Sequence, residues 1–403
     1  MSGEDPIDRR RPAWESGPPR AVSPDRPSWS VVRESRLSDS WGQHGKDLRL
    51  VRHRRTDDFG TRDRDHESRA LSGLPAGAAE RTLVKRPAHR REEAPQAPLN
   101  GSGPGPAQRL HEGVRMKFWQ SISWAETDQL VDLARFAEEL GFEGIIGSDH
   151  AFYPKEMAPG YPYSDTGYPP QTAESEYPDM WTSCAAMAAV TSRLRLVCGV
   201  YVLPLRHPVE VAKQAATLAI LSQGRFALGV GTGWMKEEFD LYGVDFASRG
   251  RRMDEMVEAM QGLWTGQFYE HHGEFFDWDP IVVSPTPSPP IPLYFGGAAP
   301  VALRRTARVG EGWIGVGNTL EDAPLVLGEL ARLRAEAGRG DEPLDTLVGL
   351  YGDVGLDDYR RLEDLGMTGG IHLPFWFAFD GPSSLGQKKR LMEGFAERVL
   401  RHF

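Results

Sequence analysis

The sequence predicts an α/β protein in which eight parallel strands, each followed by a helix, close into a single barrel. From Met116 onward, short β-type runs alternate with amphipathic helical stretches. Eight such units within about 290 residues are what a closed parallel barrel requires. An open doubly wound sheet is the alternative, but it rarely needs eight units. The predicted fold class is therefore a single eight-fold β/α (TIM) barrel over residues 116–403.

Each predicted strand is a short run of β-branched, aromatic or aliphatic residues. These runs lie at residues 117–122, 143–147, 194–200, 225–231, 291–296, 312–316, 345–351 and 369–374. The predicted helices lie at residues 126–140, 178–191, 208–221, 248–265, 299–309, 320–337, 356–365 and 383–402. Asp128 and Asp132 place negative charge in the first turns of the first helix, and Gly141 ends it. Pro208 opens the third helix, where its missing N–H costs little.

Two insertions interrupt the alternation of strands and helices. Residues 151–177 follow the second strand and hold five of the eleven tyrosines, and residues 266–290 contain a predicted hairpin, QFYEHHGEFFDW. Loops that follow the strands build the active site of such barrels. The 151–177 loop is therefore predicted to be a lid or a substrate wall, and its tyrosines favour an apolar or aromatic substrate.

The charge of the chain divides at Met116. Residues 1–115 carry 22 Lys and Arg and 17 Asp and Glu, whereas residues 116–403 carry 25 and 40. The first stretch is rich in Arg, Pro and Gly and has no sustained apolar period, which predicts a disordered extension. Met1 and Met116 bracket it with no Met between them, so we expect that translation starts at or near Met116. An Arg-rich arm for nucleic acid is the alternative, although the basic and acidic residues alternate and largely cancel.

The composition excludes several classes of protein. No apolar run approaches the roughly 20 residues of a membrane helix, and no secretory signal opens the chain. The two Cys form no disulfide framework and indicate a reducing, cytoplasmic compartment. The acidic barrel disfavours nucleic acid as a ligand. The six His of the barrel stand in no H-E-x-x-H or C-x-x-C setting, so no metal site is predicted.

An acidic residue and a histidine, Asp149 and His150, follow the second strand at the predicted barrel rim. A histidine in this place can move a proton near neutral pH, and a carboxylate beside it can orient it or bind a ligand. His150 is therefore the candidate general acid or base, with Asp149 as its orienter or as a partner of the ligand. Structural roles for both side chains stay open.

Glycine-rich turns end three other strands. Gly231, Thr232, Gly233 and Trp234 follow the fourth strand, where the backbone can approach a flat ring closely and Trp234 can form a wall. The alternative is an ordinary barrel turn.

Gly296, Gly297 and Ala298 precede a helix start, where free N–H groups suit a phosphate, with Arg304 and Arg305 close behind. An ordinary tight turn is again the alternative. Gly199 and Val200 end the third strand, and Arg206 beyond them can face a ligand anion. Cys184 and Cys198 are predicted to be core residues.

Six segments in order identify a family resemblance: ELGFEGIIGSDH, RLRLVCGVYVLPLRHPVEVAKQ, LSQGRFALGVGTGW, RRMDE, LWTGQFYEHHGEFF and YFGGAAPVALRRTARVGEGW. Together they resemble the luciferase-like monooxygenase superfamily, most of all the actinobacterial oxidoreductases that use the deazaflavin coenzyme F-420. The resemblance covers residues 116–403. It implies a luciferase-like β/α barrel with a flavin or deazaflavin across the carboxyl-terminal rim.

The resemblance also implies roles for particular residues. A non-prolyl cis peptide that supports the cofactor ring maps to Gly199 and Val200, and the acidic-histidine pair near the ring maps to Asp149 and His150. The loop from Gly231 to Trp234 matches contacts to the ring, and Gly296 and Gly297 match the phosphate loop. Ala299 stands where the family often has Ser, which removes one hydroxyl donor.

The leading hypothesis is hydride transfer between coenzyme F-420 (8-hydroxy-5-deazaflavin) and a small organic substrate. The alternatives are an FMN-dependent monooxygenase that inserts one atom of dioxygen, and a non-catalytic flavin-binding protein. The presence of both Asp149 and His150 favours an enzyme. The family commonly dimerises through helices beside strands two to four, so a homodimer is expected.

Overall fold

Eight parallel strands close into a barrel in the computed structural model, which describes residues 115–164 and 166–403. The barrel strands are β1 (Lys117–Ser121), β2 (Gly144–Gly147), β3 (Arg195–Val202), β4 (Phe226–Gly231), β7 (Leu293–Gly296), β8 (Gly312–Asn318), β9 (Asp345–Leu350) and β10 (Gly369–His372). They follow one another around the barrel in this order, and β10 pairs with β1. The eight-fold barrel that the sequence predicts is confirmed. Residues 1–114 lie outside the described residues, so the predicted disorder of residues 1–115 and the expected start of translation at or near Met116 stay predictions.

Ten α-helices are formed by the described residues. They are α1 (Leu130–Leu140), α2 (Met180–Val190), α3 (Pro208–Leu221), α4 (Lys236–Tyr242), α5 (Arg249–Leu263), α6 (Pro300–Val309), α7 (Ala323–Glu336), α8 (Leu356–Asp364), α9 (Phe375–Phe379) and α10 (Leu385–Arg398). None of these helices is long and apolar enough to cross a membrane.

The predicted hairpin is present as strands β5 (Tyr269–His272) and β6 (Asp277–Ile281). Two short helices, α4 and α9, were not predicted, because seven and five residues are too few to establish a helical period. The first predicted helix begins at Leu130 instead of residue 126, after the 3₁₀ turn Thr127–Gln129. Gly141 ends it, as predicted, in the left-handed conformation.

One side chain from each barrel strand fills the interior of the barrel. The set forms a single buried cluster: Trp119, Ile146, Val197, Ala227, Tyr294, Ile314, Leu347 and Ile371. Val200 packs against this cluster from the carboxyl ends of the strands. The interior is therefore a filled core, and ligands have access only to the rim.

The carboxyl-terminal helix α10 is tied to the loop between β1 and α1 by a buried lysine. Lys388 is 1% exposed, and its ammonium donates to Glu126, to the carbonyl oxygen of Ser383 and, over 3.0 Å, to Oε1 of Gln129. Burial raises the pKa of Glu126, but its hydrogen bonds with Lys388 and with backbone N–H groups, together with the charge of Lys388, outweigh that effect and hold the pKa below its usual value. The cluster therefore links the loop after the first barrel strand to α10.

Candidate functional site

His150 lies at the carboxyl end of β2 and is held by a carboxylate from another element. Its Nδ1 is 3.1 Å from Oε2 of Glu238, a side chain of α4 that is fully buried. The other oxygen of Glu238 accepts a hydrogen bond of 2.6 Å from the backbone N–H of Ala151. Because a carboxylate only accepts, Nδ1 carries a proton and Nε2 is left to exchange one with a ligand. This arrangement fits a general acid or base.

Asp149 makes no hydrogen bond to the ring of His150, which Glu238 holds instead, so the structure does not give Asp149 the expected role of orienter; its role as a partner of the ligand stays a prediction. Its Oδ2 accepts from the backbone N–H of Val202 at 3.0 Å, and both oxygens lie 3.4 Å from Nη2 of Arg206. Burial raises the pKa of Asp149, although the charge of Arg206 opposes the shift. Asp149 therefore fixes the end of β3 next to the rim. The sequence suggests Asp149 as the orienter because it precedes His150 in the chain. The carboxylate that holds the histidine ring is that of Glu238, 88 residues further along.

Arg206 uses two of its nitrogens within the protein. Its Nε donates to the hydroxyl of Tyr201 at 2.9 Å and its Nη2 to Asp149, while Nη1 is buried without a partner among the described residues. Whether this guanidinium also meets a ligand anion stays a prediction.

The end of β3 carries the expected cis peptide bond between Gly199 and Val200. The Val200 side chain is flanked by two glycines from neighbouring strands. A Cβ on Gly231 would lie 2.6 Å from one methyl of Val200, and a Cβ on Gly296 would lie 2.5 Å from the other. The three residues therefore form a floor at the rim without projecting side chains other than Val200, which we call the glycine cradle. Thr232 follows Gly231 and is partly buried.

Trp234 extends from the turn after β4 toward His150, with ring centroids 5.5 Å apart. Gly233 just before it has a φ of 78°, which favours glycine, and its carbonyl accepts from Nε of Arg249 at 3.2 Å. The turn thus holds Trp234 beside the histidine, and its role as a wall for a ligand ring stays a prediction.

The turn before α6 leaves room for an anion. Gly297 has a φ of 99°, Ala298 and Ala299 are exposed, and no side chain caps the helix, which begins at Pro300. Pro300 has no N–H, and the N–H groups of Ala302 and Leu303 donate to the carbonyl oxygen of Ala299 at 2.8 and 3.1 Å, so Val301 supplies the open N–H group of the first turn. Arg305 does not assist here, because it is 5% exposed and binds Asp254 through Nε at 2.6 Å. The expectation that Arg305 serves the phosphate site is therefore wrong.

Two series of contacting aromatic side chains extend from His150 in different directions. In the first, the ring of Tyr177 lies 5.3 Å from that of His150, and the indole of Trp124 donates to the Tyr177 hydroxyl. Phe377 then lies 5.8 Å from Trp124, and Tyr351 lies 5.6 Å from Phe377. Every pair meets edge to face.

In the second direction, Tyr161 of the 151–177 loop lies 5.2 Å from Trp234, and Tyr163 lies 5.4 Å from Tyr161. A Cβ on Gly317 would contact both Tyr163 and Tyr351, so the two directions approach each other there. We call this set of rings the aromatic collar. Burial raises the pKa values of Tyr161, Tyr163 and Tyr177, so their hydroxyls stay neutral hydrogen-bonding groups.

Helix α4 also holds the 151–177 loop. Oε1 of Glu237 accepts from the backbone N–H of Ala158 at 2.8 Å, next to the bond between Glu238 and Ala151. Two consecutive glutamates therefore fasten the loop at two points. The sequence shows the pair Glu237 and Glu238 at a helix start, but only the fold reveals that a buried carboxylate faces His150.

Two further sequence interpretations concern cysteines and histidines. Cys184 and Cys198 are buried, as predicted, and burial raises the pKa of the Cys184 thiol to about 12. In the hairpin, His271 is 7% exposed and lies 3.2 Å from Glu255, whereas His272 is exposed. Across the described residues, no group of three or more His, Cys, Asp or Glu could hold a metal ion.

The chain is similar to known proteins in sequence and in fold. The sequence model of the luciferase-like monooxygenase family matches residues 105–392. An uncharacterised protein of Mycobacterium tuberculosis is 37% identical over 288 residues, covering 71% of this chain and 99% of that protein.

A relative from Nakamurella multipartita, named F-420-dependent glucose-6-phosphate dehydrogenase, is 31% identical over 260 residues, 62% of this chain and 71% of that protein. The crystal structure of a monooxygenase from Streptomyces bottropensis superposes with a TM-score of 0.58 at 22% identity and covers 71% of this chain and 99% of that chain. This last likeness concerns the fold alone.

Proposed function

The chain belongs to the luciferase-like monooxygenase family, and we propose that it is an oxidoreductase that transfers a hydride between coenzyme F-420 and a small organic substrate. The observation that carries the proposal is His150, held by the buried Glu238 at the same barrel rim as the glycine cradle. The family membership supports an oxidoreductase. The F-420 dependence in the name of the relative from Nakamurella supports the choice of cofactor.

The residues at the rim fit a deazaflavin. The glycine cradle offers a floor for a flat ring, since neither Gly231 nor Gly296 has a side chain that would lift the ring from Val200. The open N–H group of Val301 at the start of α6 would donate to a phosphate oxygen, although Ala299 supplies no hydroxyl. When bound, the reduced deazaflavin supplies a hydride from its C5.

His150 is the proposed proton carrier for the substrate oxygen. In the reductive direction its Nε2 gives a proton to the oxygen of a carbonyl group as the carbon accepts the hydride. In the oxidative direction the same nitrogen removes the hydroxyl proton. Glu238 keeps the imidazole oriented and stabilises its charged form through Nδ1.

The cellular compartment and the oligomeric state are separate parts of the proposal. Both cysteines are unpaired and buried, which supports the proposal of a reducing, cytoplasmic compartment. The homodimer stays a prediction.

A turnover assay under strict exclusion of dioxygen tests the proposal. The full chain is mixed with reduced F-420 and a panel of ketones and aldehydes, and the oxidation of the cofactor is followed by absorbance. We expect substrate-dependent oxidation that needs no dioxygen. His150→Ala should still bind F-420 but turn over about 10²–10⁴-fold more slowly. Turnover only with reduced FMN and dioxygen would identify a monooxygenase and overturn the proposal.

A further inference from the structure

We propose that the substrate is an uncharged apolar or aromatic ketone, or the corresponding alcohol, that binds against the aromatic collar, and that Tyr161 determines this specificity. The inference rests on the proposed function, since it names the substrate class of the same site. It departs from the sugar phosphate in the name of the relative from Nakamurella. Three features of the described residues carry it: the charges at the rim, the geometry of the rings and their place relative to the glycine cradle.

The charges next to His150 disfavour an anionic substrate. Glu238 is fully buried beside His150, and a carboxylate in a poorly solvated site repels a phosphate or another carboxylate strongly. The charge of Arg206 is matched by Asp149. A phosphorylated substrate would therefore meet no unpaired positive charge at Arg206, whose buried Nη1 offers one N–H donor group without a partner among the described residues.

Other cationic side chains near the rim either bind protein groups or are exposed to solvent. Lys236 forms an ion pair with Asp240, and Arg249 binds the carbonyl oxygens of Gly233 and Phe246. Lys155 lies on the 151–177 loop with an exposed side chain. None of these cations takes part in the ring contacts that begin at His150.

The rings of the collar offer apolar surface instead. Trp234 and Tyr161 meet at an interplanar angle of 73°, and Tyr161 and Tyr163 meet at 78°. Edge-to-face rings leave faces on which an aromatic or aliphatic group can pack, and their hydroxyls can accept or donate hydrogen bonds to a neutral ligand. Burial keeps the Tyr161 hydroxyl protonated, so it adds no negative charge.

The collar and the glycine cradle occupy different sectors of the rim. Val200, Gly231 and Gly296 belong to β3, β4 and β7, whereas Trp124, Tyr351 and Phe377 follow β1, β9 and β10 on the other side of the barrel. His150 follows β2, which lies between the two sectors, and Trp234 contacts it from the turn after β4, with ring centroids 5.5 Å apart. A substrate against the collar would thus have its reacting carbon between His150 and a ring on the cradle.

Binding measurements on the full chain test the inference without turnover. Isothermal titration calorimetry compares the binding of 2-acetylnaphthalene with that of glucose 6-phosphate. Each is titrated into protein saturated with oxidised F-420, because no hydride is then available to reduce the ketone. We expect the ketone to bind at least about tenfold more tightly than the sugar phosphate. Equal or tighter binding of glucose 6-phosphate would overturn the inference.

Variants of two tyrosines on the same loop sharpen the test. Tyr161→Ala should weaken ketone binding about two- to tenfold, the range expected for one lost ring contact, while leaving the affinity for F-420 unchanged. Tyr161→Phe should keep wild-type binding. Tyr168→Ala is the matched control, because Tyr168 is 46% exposed and makes no ring contact. Unchanged ketone binding in Tyr161→Ala would contradict the role of this residue.

The two proposals fail in different ways. If F-420 does not bind, the proposed function is wrong, and the ketone and the sugar phosphate are then titrated into the protein alone. Preference for the ketone in that titration would still support the collar as an apolar site. Preference for the sugar phosphate in either titration would overturn the inference, even when F-420 binds.

Discussion

Nδ1 of His150 lies 3.1 Å from Oε2 of Glu238, and the same carboxylate binds the N–H of Ala151. One buried side chain therefore sets both the ring of the proposed acid or base and the first residue of the 151–177 loop. The bond between imidazole and carboxylate joins the end of β2 to α4, two elements that no local sequence pattern connects.

Removal of the Glu238 charge should impair the proton transfer more than the binding of the cofactor. For Glu238→Gln we expect kcat to fall about 10²-fold, because the amide can no longer stabilise the charged imidazole. The affinity for F-420, measured by fluorescence titration, should change little. Glu237→Gln is the control, since its carboxylate binds Ala158 and not the histidine. Equal losses in both variants would indicate that loop attachment, and not His150, is what Glu238 provides.

The glycine cradle predicts a pair of substitutions that compensate each other. Gly231→Ala places a methyl 2.6 Å from Val200 and should lower the free energy of unfolding by about 1–3 kcal/mol. In the double variant with Val200→Ala, the loss should be smaller than the sum of the single losses, since the contact is removed. Denaturant titration measures all three proteins. Gly328→Ala, where no atom lies within 4 Å of the new Cβ, serves as the control. Strict additivity would contradict the packing of Val200 against Gly231.

The Lys388 cluster predicts a loss of stability far from the rim. Lys388→Met removes the ammonium that Glu126, Gln129 and Ser383 share, and we expect unfolding to become easier by about 3 kcal/mol. Thermal melting measures the change. The exposed neighbour Arg390 gives the control variant Arg390→Met, which should melt close to the wild type. A wild-type melting temperature for Lys388→Met would show that the cluster adds nothing to the stability of the barrel.

His372 predicts how stability depends on acidity. Burial lowers its pKa to about 4, helped by the positive charge of Arg398, whereas in an unfolded chain its pKa is near 6.5. Between those values the unfolded state takes up a proton that the folded state does not, so stability falls as the pH drops from about 6.5 to 4, by up to ~3 kcal/mol.

The variant His372→Gln isolates this contribution. Unfolding is measured at several pH values for both proteins, and the difference between them is compared. We expect the variant to lose less stability than the wild type between pH 6.5 and 4. Parallel pH curves for the two proteins would rule out His372 as a source of the acid sensitivity.

The sequence sufficed for the barrel but not for the interactions within its rim. Strands such as that predicted at residues 312–316 can be recognised from their residue types. The family resemblance located the cis peptide bond between Gly199 and Val200. Glu238 escaped prediction because a short helix has no readable period and because burial of a carboxylate depends on contacts distant in sequence. Arg305 was misjudged for the same reason, since its partner Asp254 lies 51 residues away.

Cofactor choice is the most direct test of the central claim that the rim is built for F-420. Oxidised F-420 and FMN are each titrated into the purified full chain, with the Gly296→Val variant beside it to obstruct the cradle. We predict saturable binding of F-420 that is markedly tighter than that of FMN and is weakened in the variant. Tight binding of FMN without binding of F-420 would contradict the claim.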